Sequence, residues 1–260
     1  MNKVFAVVLV FSAVIFAVLV PRPSATTAAP SNPTRKTVVV ELFTSEGCSS
    51  CPPADALLMK FHEQHRDDGV EIIPLGFHVD YWNRLGWKDR FSSAAYSKRQ
   101  EDYADQLKTD GPYTPQMIVD GDTQFVGNNA QSAGDAIAQA AGRAPQANIT
   151  VTRTAGDKLH VKITSLSKNA ADVLLAITED NLASSVKSGE NNGHVLHHAA
   201  VVRDFRTIGQ VNSGGFESDV TLNVSKEWKR ADLRAVVFVQ EKPVGKILGA
   251  AATSMAAGTN

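Results

Sequence analysis

The chain has 260 residues, of which 43% are hydrophobic and 20% charged, and a formal net charge of −1. This is the composition of an ordinary globular protein with one large domain or two smaller ones. The near-neutral charge argues against a dedicated nucleic-acid-binding protein, which usually carries a concentrated basic surface.

The N-terminal segment has the pattern of an export signal. Lys3 precedes an apolar run from Val4 to Val20, and a stretch rich in small residues and proline follows. We predict a signal peptide over residues 1–28, or an uncleaved N-terminal anchor, because the apolar run is long for a signal. Either alternative exports the rest of the chain to the periplasm or the extracellular space, with membrane contact only if the leader stays uncleaved.

The next segment alternates between strand and helix patterns. Residues 37–43 are apolar and β-branched, which predicts a buried strand. Residues 53–65 have apolar side chains at helical spacing, and a second apolar strand region follows at residues 69–82. A strand, a helix and a strand of these lengths predict a right-handed parallel crossover.

A helix, a hairpin and a closing helix follow. The helix is predicted to begin near Ser92, which can cap its first turn. The pair Asp120-Gly121 lies between two short apolar runs and predicts a tight hairpin with strands at 116–119 and 123–126. An alanine-rich segment predicts the closing helix.

After a short proline-containing linker, the pattern changes to short β-rich runs separated by turn residues. One of these runs covers residues 194–205. About seven strands in roughly the last hundred residues predict an antiparallel sandwich. The chain is therefore predicted to have an α/β domain over residues 37–142, followed by a smaller all-β, sandwich-like domain over residues 147–252.

The chain has two cysteines, Cys48 and Cys51, which lie in a C-x-x-C turn between the first strand and the first helix. In an oxidising compartment two such thiols usually pair. The start of a helix stabilises a thiolate, and closing so small a loop adds little stability. Thiol–disulfide exchange is therefore favoured, with Cys48 attacking and Cys51 resolving the mixed disulfide. The cysteine pair is itself the redox group, so no dissociable cofactor is needed.

Three side chains near the cysteines are candidates for accessory roles. Glu46 would oppose thiolate formation at the pair. Asp55 could carry a proton for Cys51, or it could simply favour the positive end of the helix. Trp82 belongs to an aromatic cluster that either binds a protein segment or caps the edge of the sheet.

Two other functions stay open. A non-catalytic exported binding protein would keep the disulfide closed as a structural bridge. A copper or zinc carrier would use the cysteines together with a histidine. The weak candidates for that histidine are His78, His194 and His198.

Three segments resemble the thioredoxin-like superfamily, and in particular an exported, functionally uncharacterised branch of it. They are ELFTSEGCSSCPPAD (residues 41–55), HVDYWNRLGWKD (78–89) and YTPQMIVDG (113–121). The resemblance covers residues 37–142 and implies a thioredoxin-like fold there.

The resemblance also implies roles for individual residues. Cys48 would be the nucleophile and Cys51 the resolving thiol. Pro115 would be a cis-proline that, with Thr114 before it, positions the substrate. The partners would be protein thiols or disulfides and a separate redox partner that resets the pair. The Ser-Ser dipeptide between the cysteines differs from ordinary thioredoxins and leaves the redox direction open.

Overall fold

The computed structural model describes residues 36–63, 69–165 and 170–256. The predicted leader at residues 1–28 lies outside these ranges, and so does the predicted end of the first helix at His65. Within the described ranges no helix is both long and apolar enough to cross a membrane.

The first half of the described chain contains the elements that the sequence predicts. In chain order they are strand β1 (Lys36–Thr44), helix α1 (Pro52–Glu63), strand β2 (Val70–His78), helix α2 (Ala94–Leu107), strands β3 (Gln116–Val119) and β4 (Thr123–Val126), and helix α3 (Ala130–Ala141). Helix α2 begins as expected near Ser92, with the Ser93 hydroxyl accepting a hydrogen bond from the Ala95 N–H. Strands β3 and β4 form the predicted hairpin around Asp120-Gly121.

The second half consists of strands joined by turns. They are β5 (Ala147–Arg153), β6 (Lys158–Ser165), β7 (Ala171–Glu179), β8 (Leu182–Ser185), β9 (Val195–His198), β10 (Val201–Val211), β11 (Phe216–Thr221), β12 (Leu233–Glu241) and β13 (Ile247–Ser254). Single 3₁₀ turns lie at Asn83–Leu85 and Arg230–Asp232.

Eight strands form one mixed sheet in the order β13-β12-β7-β10-β2-β1-β3-β4. Strands β1 and β2 are parallel, as the crossover through α1 predicts. Strand β10 is parallel to β2 and pairs with it where Val201 faces Gly76. The other neighbouring strands are antiparallel. Strands from both halves of the chain therefore belong to the same sheet.

The predicted fold class is wrong. We expected a thioredoxin-like α/β domain followed by a separate sandwich-like domain, but the structure is mainly β and its large mixed sheet includes both halves. The hydrophobic pattern of a strand predicts which of its faces is buried, but it does not predict which strand pairs with each of its edges. Strand β10 pairs with one edge of β2, and this pairing joins strands from the two halves of the chain into one sheet.

The helices pack on the large sheet through two apolar clusters. Helices α1 and α3 pack on β1 and β3 through an apolar cluster that includes Leu58 and Ile137. Helix α2 lies in a second cluster, where Tyr103 packs with Phe77 of β2 and Phe238 of β12. This arrangement places the start of α1 at the carboxyl end of β1, where the cysteine turn lies.

A three-stranded sheet, in the order β11-β6-β5, covers part of the second half. Its Leu159 and Val161 share an apolar cluster with Val173 and Leu175 of β7 and with Val237 of β12. The three-stranded sheet therefore packs face to face on the continuous mixed sheet, and the two do not form the separate sandwich domain that the strand pattern predicted.

A buried polar network lies between α2 and the large sheet. Arg99 on α2 donates hydrogen bonds to the Glu41 carboxylate on β1, with nitrogen–oxygen distances of 2.7 and 3.0 Å. It also donates to the Tyr103 hydroxyl at 3.1 Å and to the Gln240 amide oxygen on β12 at 2.9 Å. Since β1 and β12 come from different halves of the chain, the network ties both halves to the same helix.

Candidate functional site

The cysteine turn connects the end of β1 to the start of α1. The Cys48 N–H donates to the Ser45 carbonyl, and the Cys51 N–H donates to the Cys48 carbonyl, both at 3.2 Å. The Cys51 carbonyl then accepts hydrogen bonds from the N–H groups of Ala54 and Asp55, at 2.8 and 3.1 Å, so Cys51 caps the helix. Cys48 and Cys51 form a disulfide, which confirms that the two thiols pair.

Two prolines directly behind the cysteines explain why the helix begins there. Pro52 and Pro53 are the first two residues of α1. The first N–H groups of a helix have no partner inside the helix, so residues without an N–H lose nothing at these positions. The fixed backbone angle of proline also suits the first helical turn.

The sulfur atoms of the disulfide are covered, although the tip of the turn is not. Cys48 and Cys51 are both 0% exposed, whereas Ser49 and Ser50 are exposed. The Ser50 hydroxyl lies 3.4 Å from Cys48 Sγ, and it is the donor because a disulfide sulfur has no proton to give. A partner thiol therefore reaches the disulfide only when its cover is displaced.

Part of this cover is the segment at residues 188–191 between β8 and β9, which we call the covering loop. Oε2 of Glu190 accepts hydrogen bonds from the Ser49 N–H and from the Ser49 hydroxyl, at 3.0 and 2.7 Å. The Ser188 hydroxyl donates to the Gly86 carbonyl at 2.5 Å. The loop is thus held both to the cysteine turn and to the segment that follows β2.

Asn191 makes the innermost contacts of the covering loop. Its side-chain amide donates to the carbonyls of Glu46 and Cys48, at 2.9 and 3.0 Å, and the residue is buried. Our sequence analysis did not identify Asn191, because it is far from the cysteines along the chain and belongs to no motif. Its contacts arise from the tertiary fold alone.

Trp82 joins the cysteine turn to the segment that precedes β3. Its indole N–H donates to the Thr114 hydroxyl at 2.8 Å. A Cβ atom built at Gly47 would lie 3.1 Å from the Trp82 Cβ atom, so the turn and the tryptophan are in close contact. The Thr114–Pro115 peptide bond is cis, which is the isomer that the resemblance implied. Trp82 and the predicted substrate-positioning residue Thr114 therefore lie together, and their roles stay predictions.

Glu46, two residues before Cys48, is buried and contacted from three sides. Its N–H donates to Asp89 Oδ2 at 2.9 Å, its Oε2 accepts from the Trp87 indole at 2.7 Å, and its Oε1 lies 3.4 Å from His198 Nε2. Burial alone would raise the pKa of Glu46, but the contacts with His198, Ser184 and Trp87 outweigh it and hold the pKa below its usual value. A negative charge is therefore favoured beside the disulfide.

His78 and Asp89 form a buried ion pair behind Glu46, with 2.7 Å between Nδ1 and Oδ2. Burial alone would lower the pKa of His78, but the Asp89 carboxylate raises it above its usual value. Burial would likewise raise the pKa of Asp89, and His78 together with the backbone N–H groups of Glu46 and Phe91 lowers it instead. The pair thus stabilises its own charged form.

Asp55 on α1 and His198 on β9 meet across a small crevice, with 4.0 Å between Oδ2 and Nδ1. The crevice is also lined by Leu58, Gly76, His78 and Ala199. Burial raises the pKa of Asp55, and the nearby histidines only partly offset this effect. A buried carboxyl group with a raised pKa beside an imidazole is a candidate for proton exchange.

The histidines considered as weak metal ligands lie in different surroundings. His78 is paired with Asp89, His198 is buried beside Glu46, and His194 is exposed before β9. Across residues 36–63, 69–165 and 170–256, no group of three or more His, Cys, Asp or Glu side chains is arranged to hold a metal ion.

Several polar residues of the site were missed by sequence reasoning. Asp89 lies in the segment at residues 78–89 that carried the resemblance, so a signal existed but no chemistry was attached to it. Trp87 belongs to the predicted aromatic cluster with Trp82, but its hydrogen bond to Glu46 was not predicted. Glu190 and Asn191 had no such signal. Their hydrogen bonds to the cysteine turn follow from how the covering loop folds back on it.

The fold and the site together define a protein with a large mixed sheet and a covered C-x-x-C disulfide among buried carboxylates and histidines. Residues 39–240 match the model of the family described as "Protein of unknown function (DUF1223)", and the chain belongs to this family. The match supports the coarser part of the resemblance, an uncharacterised family, and it does not establish a thioredoxin-like relationship.

A solved structure has a similar fold. It is the X-ray crystal structure of protein AGR_C_4864 from Agrobacterium tumefaciens, a structural-genomics target, with a TM-score of 0.70 and 28% sequence identity. The similarity covers 86% of this chain and 96% of the other. No curated protein matches the chain significantly. These similarities establish the family and the fold, and they do not identify a reaction or a substrate.

Proposed function

We propose that the protein is an exported thiol–disulfide oxidoreductase that acts on protein thiols through the Cys48–Cys51 pair. The observation that carries the proposal is the place of the disulfide, at the start of α1 and in a turn flanked along the chain by the buried residues Glu46 and Asp55. A helix start stabilises a thiolate, and buried titratable groups concentrate at sites that move protons.

A purely stabilising role is a weaker explanation for this disulfide. Cys48 and Cys51 are separated by three positions, so the bond closes a very small loop. The stabilisation expected from a disulfide grows with the length of the loop it closes, and it is small here. The large mixed sheet already provides an extensive buried core.

In the oxidising direction the chemistry takes two exchange steps. A substrate thiolate attacks Cys48 Sγ, the disulfide breaks, and Cys51 leaves as a thiolate that takes up a proton. A second substrate thiolate then attacks the substrate sulfur of the mixed disulfide and releases Cys48 as a thiolate. The substrate loses two electrons and the cysteine pair gains them, so a separate redox partner must reoxidise the pair. The reverse sequence reduces a substrate disulfide.

Trp82, Thr114 and Pro115 are the side chains that we propose to position the substrate. Trp82 lies against Gly47 of the turn and donates a hydrogen bond to Thr114, the residue before Pro115. The contact of the covering loop with the carbonyl of Cys48 indicates where a substrate segment could donate a hydrogen bond.

The place of action follows from the predicted leader. An export signal or anchor would place the cysteines in the periplasm or outside the cell, where thiols of other proteins are oxidised and isomerised. Membrane attachment would apply only if the leader stays uncleaved.

A trapping experiment tests the proposal. Cys51→Ser leaves Cys48 as a lone thiol that cannot be resolved, and mixing this variant with extract of its own compartment is expected to yield disulfide adducts that a reductant releases. Cys48→Ser is the matched control and should trap fewer partners, since Cys51 is the resolving thiol. Absence of adducts, together with a reduction potential of the wild-type pair below about −300 mV, would contradict the proposal.

A second candidate function is a non-catalytic binding protein with a structural disulfide. The complete burial of both cysteines favours it, because labile catalytic disulfides are usually accessible. In that case the trapping experiment yields no adducts, and the covering loop keeps its contacts when the protein binds its partner.

A further inference from the structure

The covering loop places a carboxylate on the exposed tip of the cysteine turn. Oε2 of Glu190 accepts hydrogen bonds from the hydroxyl and from the N–H of Ser49, at 2.7 and 3.0 Å. These two bonds, the one from the hydroxyl more than the other, hold the pKa of Glu190 below its usual value. Since Ser49 directly follows Cys48, its two donors bind a carboxylate next to the disulfide.

The strands that carry the covering loop are separate from the large sheet. Strands β8 and β9 pair only with each other within the described ranges, so the loop can move away without breaking a strand pairing of the large sheet. The loop rests on the segment at residues 84–88. The Ser188 hydroxyl donates to the Gly86 carbonyl, and a Cβ atom built at Gly189 would lie 3.2 Å from the Trp87 Cβ atom.

Three cations on this surface have no acidic partner. Arg84 and Lys88 belong to the segment under the covering loop, Lys187 directly precedes the loop, and all three side chains are exposed. None of them forms an ion pair within residues 36–63, 69–165 and 170–256. Glu190 is therefore bound to Ser49 on a surface whose other charges, from the segment and the loop's own flank, are positive.

We propose that this surface binds an acidic segment of a protein substrate, in which a carboxylate close to the reactive cysteine replaces Glu190 on Ser49. The inference rests on the proposed thiol–disulfide exchange and names the substrate class for it. Glu190 is then an internal stand-in for the substrate carboxylate, and Ser49 is a specificity-determining residue. Arg84, Lys88 and Lys187 attract the acidic segment.

An acidic segment displaces the covering loop at a lower cost than a neutral one. Its carboxylate restores both hydrogen bonds that Ser49 loses when Glu190 leaves, and a hydrogen bond to an ionised acceptor is roughly twice as strong as a neutral one. The exposed cations act over about 10 Å at about 0.1 M salt, so they also favour the approach of negative charge.

The test compares three dithiol peptides as reductants of the wild-type disulfide. Each carries two cysteines around a glycine pair, flanked by glutamate, glutamine or lysine. One peptide thiolate attacks Cys48 Sγ, Cys51 leaves as a thiolate that takes a proton from water, and the second peptide thiolate releases Cys48 and closes the peptide disulfide. The rate of each peptide is divided by its rate on 2-hydroxyethyl disulfide, which corrects for differences in intrinsic thiol reactivity.

The glutamate peptide is expected to react about tenfold faster than the glutamine peptide at about 20 mM salt, and the lysine peptide slowest. The advantage of the glutamate peptide should fall to about twofold at about 0.5 M salt, because salt screens exposed charges. A glutamate to glutamine rate ratio near one at low salt would overturn the inference, and Glu190 would then be an ordinary surface contact.

Two variants test the groups that we assign to the acidic segment. Ser49→Ala loosens the covering loop for every peptide alike, but it also removes one donor to the carboxylate, so the rate ratio should fall about threefold. Arg84→Gln with Lys88→Gln should lower the ratio and its salt dependence. Lys158→Gln is the matched control, since Lys158 is an exposed cation on β6 of the three-stranded sheet, and its ratio should equal that of wild type.

The outcomes separate this inference from the proposed function. A ratio that Ser49→Ala leaves unchanged would overturn the role of Ser49, and a ratio that the double variant leaves unchanged would overturn the role of the cations. The peptides replace the natural substrate, so the result stands apart from the trapping experiment. A failed trap with a clear acidic preference contradicts the proposed function alone, and trapped partners with a ratio near one contradict this inference alone.

Discussion

At the scale of single residues, Asp120 is a turn residue whose buried carboxylate reduces the stability of the folded protein when it is charged. Its backbone has a φ of 46°, in the left-handed region that aspartate and asparagine tolerate. Its Oδ1 accepts a hydrogen bond from the Val39 N–H at 2.8 Å, and the residue is only 9% exposed. Burial raises the pKa of Asp120 to about 6, and the Arg143 guanidinium at 3.8 Å only partly offsets this.

Asp120→Asn is therefore expected to stabilise the protein above pH 6. Because the folded pKa lies above the unfolded value of 3.8, the charged carboxylate costs stability above about pH 6, and the cost disappears as the pH falls to 4. We expect a gain of about 1–2 kcal/mol in the free energy of unfolding at pH 8. The gain is smaller than the free energy that corresponds to the whole pKa shift, because the substitution also removes the attraction between Asp120 and Arg143. Urea unfolding at pH 8 and pH 4 measures it.

The control for this change is Asp122→Asn, which removes a carboxylate that pairs with Arg143 and Lys246. It should not stabilise the protein at either pH. A gain for Asp120→Asn that was the same at pH 4 and pH 8 would contradict the assignment of the effect to a buried charge.

The sequence predicted the Asp120-Gly121 turn correctly because turn chemistry is local, and both residues have the positive φ that a tight hairpin needs. The burial of the Asp120 carboxyl group was not predictable. It results from the packing of β1 beside β3, a contact between segments far apart in the sequence.

At the scale of elements, the covering loop is held against the cysteine turn by hydrogen bonds, and we expect it to limit access to the disulfide. Asn191→Ala removes the two hydrogen bonds to the carbonyls of Glu46 and Cys48. At about 1 kcal/mol each, their loss is expected to increase the open population, and with it the rate of reduction by dithiothreitol, by roughly tenfold or more. Free thiol released over time measures the rate.

Asn192→Ala is the matched control for the covering loop, because Asn192 is the next residue and its side chain is exposed. It should change the rate of reduction by no more than about twofold, as expected for a surface substitution. Equal rates for Asn191→Ala and wild type would show that the covering loop does not limit access.

The candidate site was predictable only where its parts are adjacent in the sequence. The strand, the C-x-x-C turn and the helix start were all correctly predicted, since hydrophobic spacing and the two prolines describe them. The predicted strand run at residues 194–205 is instead two strands, separated at Ala200, which has a φ of 53°. The Ala200 N–H donates to the Asp180 carboxylate at 2.7 Å. The two residues are 20 positions apart in the sequence, so no local pattern predicts this contact. This break delimits β9, the strand that carries His198.

At the scale of the whole molecule, the network around Arg99 holds the two halves of the chain together. The guanidinium is buried, and its ion pair with Glu41 is reinforced by Tyr103 and Gln240. Removing one partner of a buried ion pair leaves the other charge uncompensated, which is more costly than removing both.

Arg99→Met should therefore destabilise the protein by about 3–5 kcal/mol. Because Glu41 and Gln240 lie on β1 and β12 of the same sheet, we expect the loss to appear in a single cooperative transition. Thermal unfolding followed by both tryptophan fluorescence and circular dichroism measures it.

A double variant, Glu41→Gln with Arg99→Met, serves as the control because it removes both charges. It should recover part of the stability lost in Arg99→Met. A double variant as unstable as the single one would indicate that lost packing, and not an uncompensated carboxylate, causes the effect.

The overall architecture was the least predictable feature. Most strands of the second half were predicted as strands, yet their arrangement was wrong, because alternation of side chains cannot assign partners. The decisive pairing, Val201 with Gly76, depends on the approach of the Ala200 carbonyl to the Gly76 N–H at 2.8 Å.

The pairing of β2 with β10 also limits the order in which the strands of the large sheet can assemble. Strand β2 and strand β10 meet at positions about 125 residues apart, so contact order is high and folding is expected to be slow. While the chain is being synthesised, β1, α1 and β2 can assemble early, but one edge of β2 stays open until β10 emerges. Open strand edges pair readily with other chains. The nascent protein is therefore most prone to aggregation in the interval between making β2 and making β10.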